Sequence, residues 1–196
     1  LTARQMAGAF QMLNSYDLLW SRMVGEYLMG ERDTPNDLMA WNADATRMPA
    51  RMHSQYLRRL FLNNDLSAGH YRVDDRPVAL SRIRLPVFCV GTVTDHVAPW
   101  RSVYKVHNEM VTDITFVLTS GGHNAGIVSE PGHPHRHFQM LERSADSAYL
   151  APDDWLAQAP QHEGSWWPAW CAWLDARSGA KVKPPRLGAP ARGYPV

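Results

Sequence analysis

The chain has 196 residues, a formal net charge of +1 and 45% hydrophobic residues. This length fits one domain, or one domain with a cap, and can bury a sizeable core. The near-neutral charge gives no bulk field that would attract nucleic acid or an anionic membrane, and no apolar run approaches the ~20 residues that span a bilayer. No signal peptide is recognisable, and the two cysteines form no CxxC pair, which is typical of a reducing compartment.

Residues 1–80 are predicted to form a mainly helical cap region. Apolar residues recur at helical spacing over residues 1–30, and Pro49 begins a second helix that carries an apolar stripe as far as Asn63. Asp74 and Asp75 then separate two short extended segments. A small hairpin, or a strand that leads into the core, is therefore expected between residues 70 and 80.

Residues 81–180 are predicted to form part of an α/β core with a mostly parallel sheet. Two short apolar runs, residues 86–91 and 114–119, have the composition of buried strands, and Pro99 begins a helical connection between them. This order of strand, helix and strand is a βαβ unit. A further helix is predicted over residues 134–145, followed by a final tryptophan-rich helix. The Pro- and Gly-rich residues 181–196 are predicted to be an extended tail.

Both predicted strands are followed by an ionisable residue, Asp95 after the first and His123 after the second. Open α/β sheets place their chemistry at the carboxyl ends of neighbouring strands. An acid followed by a histidine is the second half of an α/β-hydrolase triad, in which the acid orients the imidazole that serves as base. The alternative is a loop Asp and a loop His without mutual contact. His96 fits a structural hydrogen bond in its loop better than a direct catalytic role.

Two other groups of residues invite a functional interpretation. His133, His135 and His137 alternate, and on a strand they would share a face that could bind zinc. Pro134 instead suits the start of a helix, so neither a metal site nor a cofactor is predicted. The tryptophans of residues 164–174 are assigned to core or interface packing before a substrate platform.

A nucleophile in the hydrolase order is missing from the chain. No GxSxG-type turn precedes Asp95, Cys89 lies inside a predicted strand, and Cys171 follows His123. The early strands of the fold are missing as well. The sequence therefore indicates the C-terminal part of a larger α/β-hydrolase-like domain, preceded by its cap.

Four segments carry a family resemblance: residues 41–53 (WNADATRMPARMH), 95–100 (DHVAPW), 122–127 (GHNAGI) and 164–173 (GSWWPAWCAW). In this order they resemble polyhydroxyalkanoate synthases, also called poly(3-hydroxyalkanoate) polymerases. The resemblance runs from about Phe10 to Tyr194, and DHVAPW and GSWWPAW are its most specific segments. The family's lipase-like box with its nucleophilic cysteine is the element that this chain lacks.

The resemblance implies that (R)-3-hydroxyacyl-CoA is polymerised into polyester with release of CoA, through a Cys-His-Asp site. Asp95 matches the family's catalytic Asp and His123 its catalytic His, and the cysteine would belong to an upstream catalytic half. Asp95 would orient His123 or help to activate the substrate hydroxyl, and both roles stay open. Possible supporting residues near the site are His96, Trp100 and Asn124. Candidates for substrate contacts in the cap are Trp41, Asn42, Asp44 and His53.

The resemblance also implies a homodimer with cap contacts, and a cytoplasmic enzyme on the surface of polyester granules. The growing polyester chain would be a further partner, whereas nucleic acid and a membrane span are not expected. Two alternatives remain. One is an esterase or thioesterase of the same fold; the other is a non-catalytic interaction fragment that pairs through its cap or an open sheet edge. By itself the chain is expected to be inactive.

Overall fold

The computed structural model describes residues 8, 12, 15, 16, 20–31, 37, 40, 41, 44, 48–185, 187–189 and 192–194. The chain divides into two compact units, Leu1–Asp65 and Leu66–Val196. Among the described residues, no helix combines the length and the apolar character that crossing a membrane requires.

The described part of the first unit is helical. Helix α1, Ser21–Met23, continues as a π-helical segment, Val24–Leu28, and helix α2, Ala50–Tyr56, continues as a second one, Leu57–Leu62. The predicted helix after Pro49 is thus confirmed, with Pro49 as its N-cap. The chain leaves this helix through Asn63 and through Asn64, whose φ of 52° is left-handed. Most of residues 1–19, including the helical pattern predicted there, lies outside the described residues.

The apolar stripe of this helix does not form a buried core within the described part of the unit. Met52 is 56% exposed and Phe61 67% exposed, and Tyr56 contacts Phe61 edge to face with 5.2 Å between ring centroids. The helical period predicted the secondary structure correctly. The burial of the stripe within the unit is not observed.

The second unit begins with the predicted hairpin. Strands β1, Tyr71–Val73, and β2, Arg76–Val78, are antiparallel. Asp74 and Asp75 join them with φ of 45° and 59°. Two consecutive left-handed residues match the right-handed twist of a hairpin, and Asp is among the few non-glycine residues that adopt this conformation readily.

A four-stranded sheet forms the centre of the second unit, in the order β3-β4-β5-β6. Its strands are β3, Val87–Thr92, β4, Ile114–Thr119, β5, His137–Arg143, and β6, Gln161–Glu163. β3 and β4 are parallel, and helices α3, Trp100–Val103, and α4, Val106–Glu109, connect them. The predicted βαβ unit is therefore confirmed. The prediction of a mostly parallel sheet is wrong for the described strands, because β4–β5 and β5–β6 pair antiparallel.

The helix predicted over residues 134–145 is also wrong, because this segment forms β5. Phe138 packs into one hydrophobic cluster with Met140 at its margin, whereas Leu141 packs against a different cluster. Such alternation between faces is the period of a strand. Gln, Met, Leu, Glu and Arg favour helices in isolation, but pairing with β4 along the whole strand outweighs that weak local preference.

Helices cover both faces of the sheet. Phe116 and Leu118 of β4 join a cluster with Tyr104, Trp155 and Ala159, and Val117 points into a second cluster with Phe138 and Trp166. Helix α5, Pro152–Gln158, carries Trp155, and helix α6, Trp167–Asp175, begins directly after Trp166. Alternate residues of one central strand thus supply two cores, as in other α/β proteins. Each fully buried side chain of this size contributes roughly 1.5–3 kcal/mol to the stability of the fold.

The last described residues follow α6. Gly179 lies past the end of that helix, and residues 180–185 have no regular structure. Further along, a single antiparallel bridge joins Ala189 and Tyr194.

Candidate active site

Asp95 lies in the loop that follows β3. Its Oδ1 accepts hydrogen bonds from the backbone N–H groups of Val97 and Ala98, both at 2.8 Å, and the Thr92 hydroxyl lies 3.5 Å from Oδ2. This is an Asx turn, in which a short acidic side chain bonds the backbone two and three residues ahead. The side chain is only 8% exposed, so the carboxylate is held in one place.

These contacts decide the ionisation of Asp95. Burial alone is the largest influence and would raise the pKa, but the hydrogen bonds from Ala98, His123 and Val97 and the charge of His123 together outweigh it. The pKa of Asp95 is lowered from 3.8 to about 2. Asp95 is consequently a carboxylate, and an acceptor only, throughout the neutral pH range.

His123 lies in the loop that follows β4, and its Nδ1 is 2.9 Å from Asp95 Oδ2. Because the ionised carboxylate can only accept, Nδ1 must be the donor, and the lone pair of the neutral ring is on Nε2. The His123 side chain is 45% exposed. A fixed tautomer on a partly exposed ring is the arrangement that a general base requires.

Parallel pairing brings the two loops together. The ladder between β3 and β4 continues past both strand ends, since Val93 N–H donates to the Thr119 carbonyl at 3.0 Å and Thr94 N–H to the Gly121 carbonyl at 3.2 Å. Gly121 has a φ of 103°, which suits glycine. The contact between Asp95 and His123 follows from strand register, as expected for the carboxyl edge of a parallel pair.

Two residues that the sequence reasoning did not assign hold this geometry. Thr92 is buried at the end of β3, and Gly126 packs so closely against it that an added Cβ would lie 2.6 Å from Thr92 Cγ2. Glycine in a loop permits close backbone approach in general. The side chain that Gly126 meets, Thr92, belongs to a separate element, so the sequence of the loop does not predict this contact.

The possible supporting residues fall in different places. His96 is exposed, and Asn124 is exposed with a backbone carbonyl that accepts from Ile127 and Val128 N–H at 3.1 and 2.9 Å. Trp100 packs against the core cluster of Tyr104, Phe116 and Trp155. Trp100 therefore supports the sheet, whereas Asn124 shapes the turn after His123.

The cap candidates belong to the unit Leu1–Asp65. Trp41 is 68% exposed, and the backbone N–H of Asp44 donates to its carbonyl at 3.2 Å. His53 is half-buried in α2. Asn42 lies outside the described residues.

The histidine-rich run has no metal-binding geometry in the described part of the chain. No group of three or more His, Cys, Asp or Glu side chains is placed there to hold an ion. His133 Nδ1 lies 3.0 Å from the Pro134 carbonyl oxygen, His135 has a left-handed φ of 59°, and only His137 belongs to β5. The three residues therefore do not share one face of a strand.

Neither cysteine is suited to act as the nucleophile. Cys89 is in the middle of β3, where burial raises its pKa to about 11 against the opposing effect of a hydrogen bond at Val90. Its thiol is therefore protonated at neutral pH, and only the thiolate is a good nucleophile. Cys171 is exposed on α6 and follows both Asp95 and His123 in the chain, which is not the order of an α/β-hydrolase nucleophile.

Comparisons with known proteins point in one direction. No protein-family model matches the chain. A poly(3-hydroxyalkanoate) polymerase of Methylorubrum extorquens is 40% identical over 182 residues, which are 93% of this chain and 30% of that protein. The poly(3-hydroxyalkanoate) polymerase subunit PhaC of Cupriavidus necator is 37% identical over 94% of the chain, and poly(3-hydroxyalkanoate) polymerase 2 of Ectopseudomonas oleovorans is 34% identical over 100%.

The chain spans about a third of the length of these relatives, 31% of the Cupriavidus protein and 34% of the Ectopseudomonas protein. The resemblance predicted from four short segments is thus confirmed over nearly the whole chain. The α/β protein described here is similar, from end to end, to one portion of poly(3-hydroxyalkanoate) polymerases.

Proposed function

We propose that the chain is a portion of a polyhydroxyalkanoate synthase and supplies the acid and the base of its Cys-His-Asp site. The observation that carries this proposal is the 2.9 Å hydrogen bond between His123 Nδ1 and Asp95 Oδ2 at the ends of two parallel strands. An α/β-hydrolase arrangement of the full-length protein accounts for the order of these residues.

In the proposed reaction, His123 Nε2 takes the proton of a cysteine thiol from the upstream part of the protein. The thiolate attacks the thioester carbonyl of (R)-3-hydroxyacyl-CoA, the acyl group forms a new thioester on the cysteine, and CoA leaves and recovers the proton. The 3-hydroxyl of one acyl unit then attacks the thioester carbonyl of another, so that an ester bond forms, the acyl C–S bond breaks and the released thiolate recovers the hydroxyl proton through His123. Asp95 keeps His123 in the tautomer with a free Nε2, or helps to deprotonate that hydroxyl.

The position of β3 supports an upstream partner segment. Within the described sheet, β3 pairs only with β4, although Gly91 and Thr92 are buried and the rest of the strand is half-buried. An unprotected edge on a largely buried strand is suited to accept a further strand. We propose that the part of the protein that carries the nucleophile adds there.

The remaining family properties are proposals of the same kind. The cap would cover the site and contribute to a homodimer, and the protein would act in the cytoplasm at the surface of polyester granules. Exposed apolar side chains in the unit Leu1–Asp65, such as Trp41 and Phe61, support a role for that unit in such contacts.

The test is CoA release from 3-hydroxybutyryl-CoA by the full-length gene product. Because removal of either partner of a triad has a large effect, His123→Gln is expected to lower kcat about 10³-fold or more. His137→Gln is the matched control, since that side chain is exposed at the start of β5, and it is expected to stay within about twofold.

Two outcomes would contradict the proposal. Release of CoA by the 196-residue chain alone would show that a nucleophile exists within it. Hydrolysis of short p-nitrophenyl esters without any polymer from 3-hydroxyacyl-CoA would assign the site to an esterase or thioesterase instead.

A further inference from the structure

The loop that carries His123 has backbone carbonyls that its own turns do not use. Within the loop, Gly126 N–H donates to the Gly122 carbonyl at 3.0 Å, and the Asn124 carbonyl accepts two further N–H groups. The carbonyls of Gly126, Ile127 and Ser129 accept hydrogen bonds from residues elsewhere in the chain. Their partners are three consecutive side chains at the start of α6.

Each of these side chains donates one hydrogen bond. Trp166 Nε1 donates to the Gly126 carbonyl at 3.1 Å, Trp167 Nε1 donates to the Ile127 carbonyl at 2.9 Å, and Ser165 Oγ donates to the Ser129 carbonyl. Donors and acceptors are about 40 residues apart in the sequence. The contact is therefore a tertiary one, and it reaches the loop three residues after His123.

The donors are themselves held firmly. Trp166 is buried in a core cluster with Val117 and Phe138. The Ser165 hydroxyl also accepts the Trp167 N–H at 3.1 Å, which ties it to the first turn of α6. The Trp166 ring and the Ser165 hydroxyl are therefore fixed by contacts outside the loop, and the loop carbonyls bond to donors whose positions the loop does not set.

We propose that Ser165, Trp166 and Trp167 form a clamp that positions His123 relative to Asp95, so that they are positioning residues for the base. The clamp holds Gly126 through its carbonyl, while Thr92 of β3 limits the space at its Cα. The loop is thereby fixed to β3, the strand that precedes Asp95, and to the helix that begins at Trp167. This inference deepens the proposed function and rests on His123 as its base.

The experiment removes one indole N–H and keeps a smaller aromatic ring at the same position. Trp167→Phe is the first variant, because Trp167 is partly exposed and the change is compatible with folding. Trp173→Phe is the matched control: its indole also donates one hydrogen bond, at 3.1 Å, but to Thr115 on β4 and not to the loop. Both variants lose one indole bond from the same helix.

Two readouts separate positioning from general stability. In the full-length protein, Trp167→Phe is expected to lower kcat about tenfold with KM within twofold, because small misplacement of a catalytic group affects the chemical step. The second readout is the NMR signal of His123 in protein labelled with ¹⁵N-histidine, which His123→Gln assigns by its loss. Trp167→Phe is expected to shift His123 from the Nδ1–H tautomer toward the Nε2–H tautomer that dominates in water. Trp173→Phe is expected to change neither.

The clamp is refuted if Trp167→Phe and Trp166→Phe both keep the parent kcat and the parent His123 tautomer, or if Trp173→Phe alters them equally. The tautomer measurement does not need turnover. If the parent protein releases no CoA while the tautomer shift is observed, the proposed function fails and the clamp stands.

Discussion

Gly126→Ala is the substitution that tests the geometry of the site most directly. The new Cβ would lie 2.6 Å from Thr92 Cγ2 and 3.0 Å from both Thr92 Cβ and the Ser120 carbonyl oxygen. Carbon atoms in contact are normally about 3.5–4.0 Å apart, so one partner must move by about 1 Å. Thr92 is buried and β-branched, with a stiff χ1, and its strand is paired with β4. The loop is therefore the part that moves.

A displacement of this size is enough to break the contact between base and acid. The bond from His123 Nδ1 to Asp95 Oδ2 is 2.9 Å long, and a further ~1 Å takes it beyond hydrogen-bond range. We expect kcat for CoA release to fall about 10²-fold, as for a comparable misplacement of a catalytic group. Overpacking is expected to lower the free energy of unfolding by about 1–3 kcal/mol, which a lower melting temperature would report.

Gly122→Ala is the control in the same loop, next to His123. Its added Cβ would meet nothing closer than Thr94 Oγ1, at an ordinary 3.7 Å. We expect the activity of this variant within about twofold of the parent and its stability within about 0.5 kcal/mol. The reasoning is refuted if Gly126→Ala is as active and as stable as the parent, or if the two alanine variants lose activity equally.

Three further predictions concern Asp95, the two cysteines and the core of the second unit. The pKa of Asp95 is lowered from 3.8 to about 2 in the folded protein, so its carboxylate stabilises the fold above about pH 4, and this contribution disappears as the pH falls toward 2. In denaturant titrations, the difference in unfolding free energy between the parent and Asp95→Asn should therefore shrink over that range. A constant difference would contradict the assignment. Iodoacetamide at neutral pH should modify the exposed Cys171 and spare Cys89, whose pKa is raised to about 11, and mass spectrometry that finds Cys89 labelled first would disprove the argument from burial. Phe116→Ala should cost about 3–5 kcal/mol of stability, because the ring is fully buried against Tyr104 and Trp155, whereas Val128→Ala at an exposed position should cost less than about 0.5 kcal/mol; equal melting temperatures would refute this difference.

Several features were predictable because their signals are local. Two short apolar runs with a proline between them predict the βαβ unit. The parallel register of its strands then places Asp95 and His123 at one edge of the sheet. Two adjacent aspartates, which tolerate a left-handed backbone, predict the hairpin. In each case residues that are neighbours in sequence decide the conformation. The family resemblance likewise depended on short contiguous segments.

Other features were decided by contacts between residues far apart in the chain. Residues 137–143 have a composition that suits a helix, and pairing with β4 makes them a strand. The hydrogen bonds from Trp166 and Trp167 to the His123 loop join residues 40 positions apart, and the space at Gly126 is limited by a threonine on another strand. The sequence by itself determined which residues stand at the carboxyl edge of the parallel pair. The tertiary structure alone decided how firmly they are held there, because backbone pairing and packing depend on where distant segments meet.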